Sequence, residues 1–175
     1  DLVNEFFEIT RFNLTKLTLE PARINLSRML EQIAFEFNPI LAEKQLLWAL
    51  RIEPDVEIVC DSGKLERVFD NLIRNAINYS YENSTISLTL SQIDRHILIT
   101  VQNRGRNIPP EKLSRIFEQF YRIDASRSTL TGGAGLGLAI AKEIIALHGG
   151  SIKAESVEES VKFTVLLPVD CQKIV

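Results

Sequence analysis

Three asparagines, Asn71, Asn75 and Asn78, stand at i, i+4 and i+7 inside a run whose apolar residues recur at helical spacing. That spacing sets them as one polar stripe along one side of a helix. Asn is a poor helix former, and a merely solvated face is better served by Lys, Glu or Gln. The functional alternative is a row of amides aimed at a ligand. Their carbonyl oxygens are hard neutral donors suited to Mg²⁺, and their NH₂ groups can meet phosphate oxygens. A second constellation, Gly132-Gly133-Ala134-Gly135-Leu136-Gly137, directly precedes another helical pattern. Close-set glycines let backbone N–H groups approach phosphates, and a helix N-terminus adds a favourable positive field. No Lys follows the glycines, so this is not a P-loop; a polar loop rather than a buried strand precedes them, so it is not a Rossmann turn. The bland reading of the glycines is a flexible loop with a helix start.

Two shorter stretches complete the set. In residues 101–108 (VQNRGRNI) a strand ends in a glycine turn; a polar side chain at such a strand end could read a purine edge, and taken alone the stretch is simply a turn. In residues 116–122 (IFEQFYR) the aromatics are most economically core or loop anchors. Arg122 is then left as a clamp for phosphate.

Positioning these residues takes a particular order of elements. Residues 1–18 place Leu2, Phe6 and Ile9 at helical spacing, as the end of an amphipathic helix that Pro21 closes, with a linker up to Asn25. A helix near 26–44 follows, interrupted by Pro39. Strand-like runs at 46–52 and 56–60 are joined by the turn signal Glu53-Pro54-Asp55. The clearest helix is 62–79, where Leu65, Val68, Phe69, Leu72, Ile73, Ala76 and Ile77 repeat without a gap and Asp61 or Ser62 can cap the start. A hairpin at 85–102, a short helix at 110–117, a polar loop at 122–135, a helix at 136–148 ended by Gly149-Gly150, and strands at 151–156 and 161–167 complete the chain. The expected fold is α+β: a two-layer sandwich of a mixed sheet with helices on one face.

Composition sets the outer bounds. The 175 residues are 45% hydrophobic, enough for one real core, and the formal charge of −3 argues against nucleic acid as the main partner. No apolar run reaches membrane-spanning length, and the start has no signal-peptide pattern. Cys60 and Cys171 stand far apart, which points away from a disulfide framework and toward a reducing compartment. The abrupt start without Met reads as a piece of a longer chain.

Together and in this order, the four stretches resemble the histidine-kinase branch of the superfamily shared by gyrase B, Hsp90 and MutL ATPases. Asn71–Ser80 resembles the N box, the turn at 103–107 the G1 box, Phe117–Arg122 the F box and Gly133–Leu138 the G2 box. The stretches NEFFEITRFN and TGGAGLGLAIAKEII are similar in wording to VanS-type sensors of vancomycin-resistance systems.

The resemblance implies a Bergerat-type ATP-binding fold with Mg²⁺-ATP as its cofactor substrate, and a role for each matching residue. Asn75 would ligate Mg²⁺, Tyr79 would pack beside the nucleotide, and Arg122 would approach the outer phosphate oxygens. Ile108 and Leu138 would line the adenine pocket, with Asn103, Gly105 and Asn107 in the G1 turn. Phe120 and Tyr121 would be among the nucleotide-binding residues. Thr131, Gly132, Gly133, Ala134, Gly135, Leu136 and Gly137 would close over the phosphates, and the loop around 125–135, nearly without apolar anchors, is expected to be mobile without nucleotide. Asn71 stands where the hydrolysing members carry a Glu that activates water; an amide cannot take that proton, so transfer to another nucleophile is favoured.

Three positions depart from the family pattern. Asn103 replaces an Asp that reads the adenine amino group, Asn107 replaces a glycine that its tolerance of positive φ suits it to, and Asn78 replaces a cation that often meets phosphate. Each points to weaker affinity, micromolar or above.

The implied organisation is 1–20 as the tail of a dimerisation helix plus linker, 21–168 as the catalytic domain and 169–175 as a C-terminal tail. His96 and His148 read as structural, and the phosphoacceptor histidine is expected upstream. The implied partners are that helical hairpin and a response-regulator receiver domain. The whole protein would be a membrane-tethered homodimer with this part on the cytoplasmic side, and the piece alone a monomer. Two rival readings follow from the same residues: a nucleotide-binding regulatory module that mainly controls dephosphorylation, and a hydrolysing ATPase that Asn71 disfavours.

Overall fold

The seven apolar residues expected on one face of the 62–79 helix are each no more than 3% exposed, so the whole stripe packs inward. The computed structural model describes residues 18–123 and 135–170. Its elements, in chain order, are β1 (Ala22–Asn25), α1 (Leu26–Glu36), α2 (Asn38–Glu43), β2 (Leu47–Ile52), β3 (Glu57–Cys60), α3 (Ser62–Tyr79), β4 (Thr85–Ile93), β5 (His96–Arg104), α4 (Pro110–Leu113), a 3₁₀ turn (Arg115–Phe117), α5 (Gly137–Leu147), β6 (Ser151–Val157) and β7 (Ser160–Pro168).

Five strands form one mixed sheet in the order β2-β4-β5-β7-β6, with β2 parallel to β4 and every other pair antiparallel. Alternation decides which face is inside. Ile86, Leu88 and Leu90 of β4 sit beside Ile97, Ile99 and Val101 of β5 and Val161, Phe163, Val165 and Leu167 of β7, all at most 4% exposed. The residues between them point the other way; there Thr89 and Thr100 join hydroxyls at 2.6 Å. Leu26, Leu30 and Ile33 of α1, the α3 stripe, and Ile140, Ala141, Ile144 and Ile145 of α5 complete the core over the inner face. This is the expected α+β architecture with helices on one face.

Local departures from the expected elements have physical causes. Residues 22–25, expected as linker, form β1, because β3 offers them a complete antiparallel partner from Ala22 against Cys60 to Asn25 against Glu57. The turn at 53–55 does not fold β2 and β3 into a hairpin. They belong to different sheets, β2 finding its partner in β4. The helix expected over 26–44 breaks at Phe37, and Pro39 falls at the start of α2, where its missing N–H is harmless. The helix expected over 110–117 likewise divides at Ser114 into one α turn and one 3₁₀ turn.

Candidate functional site

The asparagine helix is anchored at its first turn. Asp61 caps α3, its Oδ1 accepting from the Lys64 N–H at 3.1 Å and its Oδ2 from the Glu20 N–H at 3.1 Å, while the Lys64 ammonium closes on the same carboxylate. Burial alone would raise this carboxyl's pKa; the Lys64 side chain and the two N–H donors outweigh it and hold it below the usual value. The Asp61 N–H itself donates to His148 Nε2 at 3.1 Å, and His148 Nδ1–H donates to the Ile144 carbonyl at 2.7 Å. His148 is 1% exposed, and burial lowers its pKa against the opposing pull of that carbonyl and of Asp61. It is a neutral clamp between the start of α3 and the end of α5, the structural role expected of it.

From that anchor α3 carries Asn71, Asn75, Asn78 and Tyr79 along one wall of a cavity of about 590 Å³. Asn71 Nδ2 donates to the Gly137 carbonyl at 3.2 Å, which ties the wall to the first residue of α5. A Cβ on Gly137 would lie 3.1 Å from Asn71 Oδ1, so glycine is what allows the approach. Asn78 Oδ1 accepts from Lys44 Nζ at 3.2 Å. The cation missing at position 78 is therefore brought next to it by the end of α2. Sequence reasoning missed Lys44 because it lies 34 residues away, with no pattern linking the two.

Gly135, Leu136, Gly137 and Leu138 form the facing wall, and Tyr121 and Arg122 flank it. Gly135 has φ +77°, and a Cβ there would lie 3.0 Å from Phe120 C and Tyr121 O. Besides Gly105, Phe120 is the one described residue among the expected contacts that the lining leaves out. It is 59% exposed, stands outside the cavity lining, and holds a left-handed φ of 63° while its N–H donates to the Gly135 carbonyl at 3.1 Å. Its part is to join the segment after the 3₁₀ turn to the start of the α5 wall.

The end of β5 supplies Asn103 and the turn after it Asn107 and Ile108 to the lining, while Gly105 is not among the lining residues. A Cβ on Gly105 would fall 2.2 Å from the Tyr79 carbonyl oxygen, so this glycine marks a close approach of two backbones. Asn107 does not use its tolerance for positive φ; its φ is not in that region. Instead its Oδ1 accepts from the Glu159 N–H at 2.8 Å and lies 3.5 Å from Ser156 Oγ, which in turn accepts from the Ile108 N–H at 2.9 Å. The side chain staples the turn to the β6–β7 connection, where Glu158 and Glu159 carry the positive φ. Asn103 is 2% exposed and its Nδ2 has no hydrogen-bond partner among the described residues.

The floor is apolar, with Val161 and Phe163 of β7 and Ile116 among its residues. The mouth is cationic. Arg74, Arg106, Lys112 and Arg122 line it, and no described Asp or Glu does, in a chain with 23 acidic residues. Arg74 is also paired with Asp70 at 2.7 Å and lies over the Phe37 ring at 5.0 Å. Thus 13 of the expected residues share one cavity. Thr131, Gly132, Gly133 and Ala134 lie outside the described residues, as do the expected helix tail and Cys171.

The described residues contain no cluster of His, Cys, Asp or Glu that could hold a metal by itself. The Asn75 carbonyl oxygen fits a Mg²⁺ that takes its other ligands from phosphate oxygens and water, the usual way this ion binds at nucleotide sites. No described helix is long and apolar enough to cross a membrane.

A family model described as histidine kinase-, DNA gyrase B- and HSP90-like ATPase matches residues 60–170. The chain is 55% identical over 168 residues to the sensor protein VanSC of Enterococcus gallinarum, covering 95% of this chain and 46% of that one. It is 47% identical over 167 residues to the sensor protein VanS of Enterococcus faecium, covering 95% of this chain and 43% of that one. It thus spans a little under half the length of these curated relatives. The solved full-length kinase ShkA in complex with AMPPNP superimposes with a TM-score of 0.82 at 28% identity, over 98% of this chain and 36% of that one.

Proposed function

The chain belongs to the histidine kinase-, DNA gyrase B- and HSP90-like ATPase family, as the ATP-binding catalytic domain of a sensor histidine kinase of VanS type, and from that premise we propose that its cavity binds Mg²⁺-ATP and presents the γ-phosphoryl group to a histidine of a partner helical hairpin. One observation carries this reading. An asparagine-bearing helix faces the glycine-rich start of α5 across a cavity with an apolar floor and a mouth lined by four cations. A flat apolar heterocycle suits such a floor, and a polyphosphate suits such a mouth.

In this reading Asn75 would hold Mg²⁺, and the charge that ion supplies would offset that of the phosphate oxygens when the γ-phosphoryl group passes from ADP as leaving group to the histidine nitrogen. Arg122 meets the outer oxygens, Gly135–Leu138 run beside the chain of phosphates, and Ile108 and Leu138 hold the base beside Tyr79. Asn71 positions rather than ionises. Its amide is bound to the Gly137 carbonyl, and no proton acceptor stands in its place to activate water, which supports transfer over hydrolysis. The regulatory-module alternative is not favoured, since the altered turn is braced by the Asn107 contacts.

The domain spans 21–168 in this reading. Val169 adds to it by donating its N–H to the Arg95 carbonyl at 3.0 Å, and Asp170 by its bridge to Val59. The full protein would be a membrane-tethered homodimer with this domain on the cytoplasmic side, passing the phosphoryl group to a response-regulator aspartate in glycopeptide-resistance signalling. Similarity to VanSC and VanS supports that role. The test is calorimetric titration of AMPPNP with Mg²⁺ into wild type and Asn75→Ala. The expected result is micromolar binding to the wild type and loss of about tenfold or more in the variant. A folded wild type that takes up no nucleotide refutes the proposal.

A further inference from the structure

Asn103 presents an unusual combination: a side chain 2% exposed, lining the cavity, with an amide nitrogen that has no hydrogen-bond partner among the described residues. A buried amide left in that state costs about 1–3 kcal/mol, so native structures keep few of them. A ligand that brings an acceptor to Nδ2 removes the penalty. A Cβ on Gly105 would lie 3.1 Å from this Nδ2, so the glycine leaves the amide its room.

Resting on the nucleotide-binding reading above, we propose that Asn103 makes the site accept both 6-amino and 6-oxo purine nucleotides. The reason is the symmetry of hydrogen-bonding roles in an amide. Asn offers an acceptor oxygen and a donor NH₂ of nearly equal size, and a half-turn about the last side-chain bond exchanges them. Adenine presents a donor amino group at position 6 beside an acceptor ring nitrogen; guanine presents an acceptor oxygen at position 6 beside a donor ring N–H. One amide orientation complements the first edge and the flipped orientation complements the second. The exchange needs no added volume, so the tight backbone around Gly105 does not oppose it. A carboxylate at the same place has only acceptors, matches the amino group, and repels the 6-oxo oxygen.

The experiment compares AMPPNP and GMPPNP, each with Mg²⁺, by calorimetry on the wild type and on Asn103→Asp. The wild type should bind the two within about thirtyfold of each other, and the variant should widen the preference for the adenine nucleotide by at least about tenfold. A wild type that binds AMPPNP and prefers it by more than about thirtyfold overturns the inference and leaves the nucleotide site intact. An unchanged preference in a folded Asn103→Asp protein overturns it equally, whereas binding of neither nucleotide by folded wild type overturns the underlying reading as well. The wild-type ratio needs no variant, so poor folding of Asn103→Asp does not shelter the proposal.

Discussion

Gly105→Ala and Gly63→Ala are the same chemical change and should move stability in opposite directions. At Gly105 the added carbon would stand 2.2 Å from the Tyr79 carbonyl oxygen and 3.2 Å from its carbonyl carbon. Even an attractive C–H···O contact keeps carbon and oxygen about 3.3 Å apart, so the end of α3 and the turn after β5 must separate by roughly 1 Å. Both sides of the clash are backbone, and no rotamer change relieves it. Both are also tied down: the Gly105 N–H donates to the Glu159 carbonyl at 2.9 Å, and the Tyr81 N–H donates to the Arg104 carbonyl at 2.9 Å. Overpacking of this kind costs about 1–3 kcal/mol, and with backbone on both sides the upper end applies. For a domain of this size about 3 kcal/mol corresponds to a fall in Tm of roughly 6–12 °C. Gly63, in the first turn of α3, has only Asp61 Oδ1 within reach of a new Cβ, at 3.9 Å. Alanine there removes backbone entropy from the unfolded chain and should stabilise by up to about 1 kcal/mol, raising Tm by a few degrees. Thermal melts of the two variants beside the wild type decide the matter. A Gly105→Ala protein melting within 1 °C of wild type, or two shifts of the same sign, would refute the packing argument.

Acid should loosen the clamp at His148. Its pKa is lowered in the fold, so the unfolded chain binds more protons in the window below the ordinary imidazole value of about 6.5. The contribution is complete above that value and is lost as the pH falls toward the folded-state pKa. Melts at pH 7.5 and 5.5 should show that loss in the wild type and a flatter profile in His148→Gln; equal slopes would remove His148 as the cause. Asp61, with its pKa also lowered, should add a second loss at more acid pH, below the usual carboxylate value of about 3.9. Lys44→Ala should weaken binding of Mg²⁺-AMPPNP by about two- to fourfold while leaving adenosine binding unchanged, since an exposed cation contributes modestly and only toward charge. Equal losses for both ligands in calorimetry would show that Lys44 acts through folding instead.

The parts of this molecule that could be read from its residues are those written in one local period. In α3 every expected core residue is buried, and the asparagines three and four positions apart share the cavity wall, because helical spacing alone fixes both faces. Non-local pairing is different. Residues 22–25 follow Pro21, carry one large apolar residue and have no strong alternation, so nothing local marks them as a strand; β3 makes them one. Pro54 and Asp55 mark a turn truthfully, yet a turn does not say whether its flanking strands pair with each other. Phe120 shows the same limit at the site. The resemblance puts it among the nucleotide-binding residues, whereas the structure leaves it 59% exposed at a left-handed φ and outside the lining. Lys44 meets Asn78, and Asn107 meets Glu159, only after the chain has closed on itself.

The four cations that line the cavity sit on a chain whose formal net charge is −3, so the remainder of the molecule is more negative still. The domain is therefore electrically lopsided. A polyanion approaching from most directions meets repulsion and is drawn in only near one opening, with its phosphates leading. Capture becomes selective for orientation before any contact forms, and faster than unguided diffusion allows. Salt dulls this guidance, since at physiological ionic strength the field of an exposed charge reaches only about 8 Å. The rate of capture, more than the lifetime of the bound state, is where the ionic surroundings leave their mark.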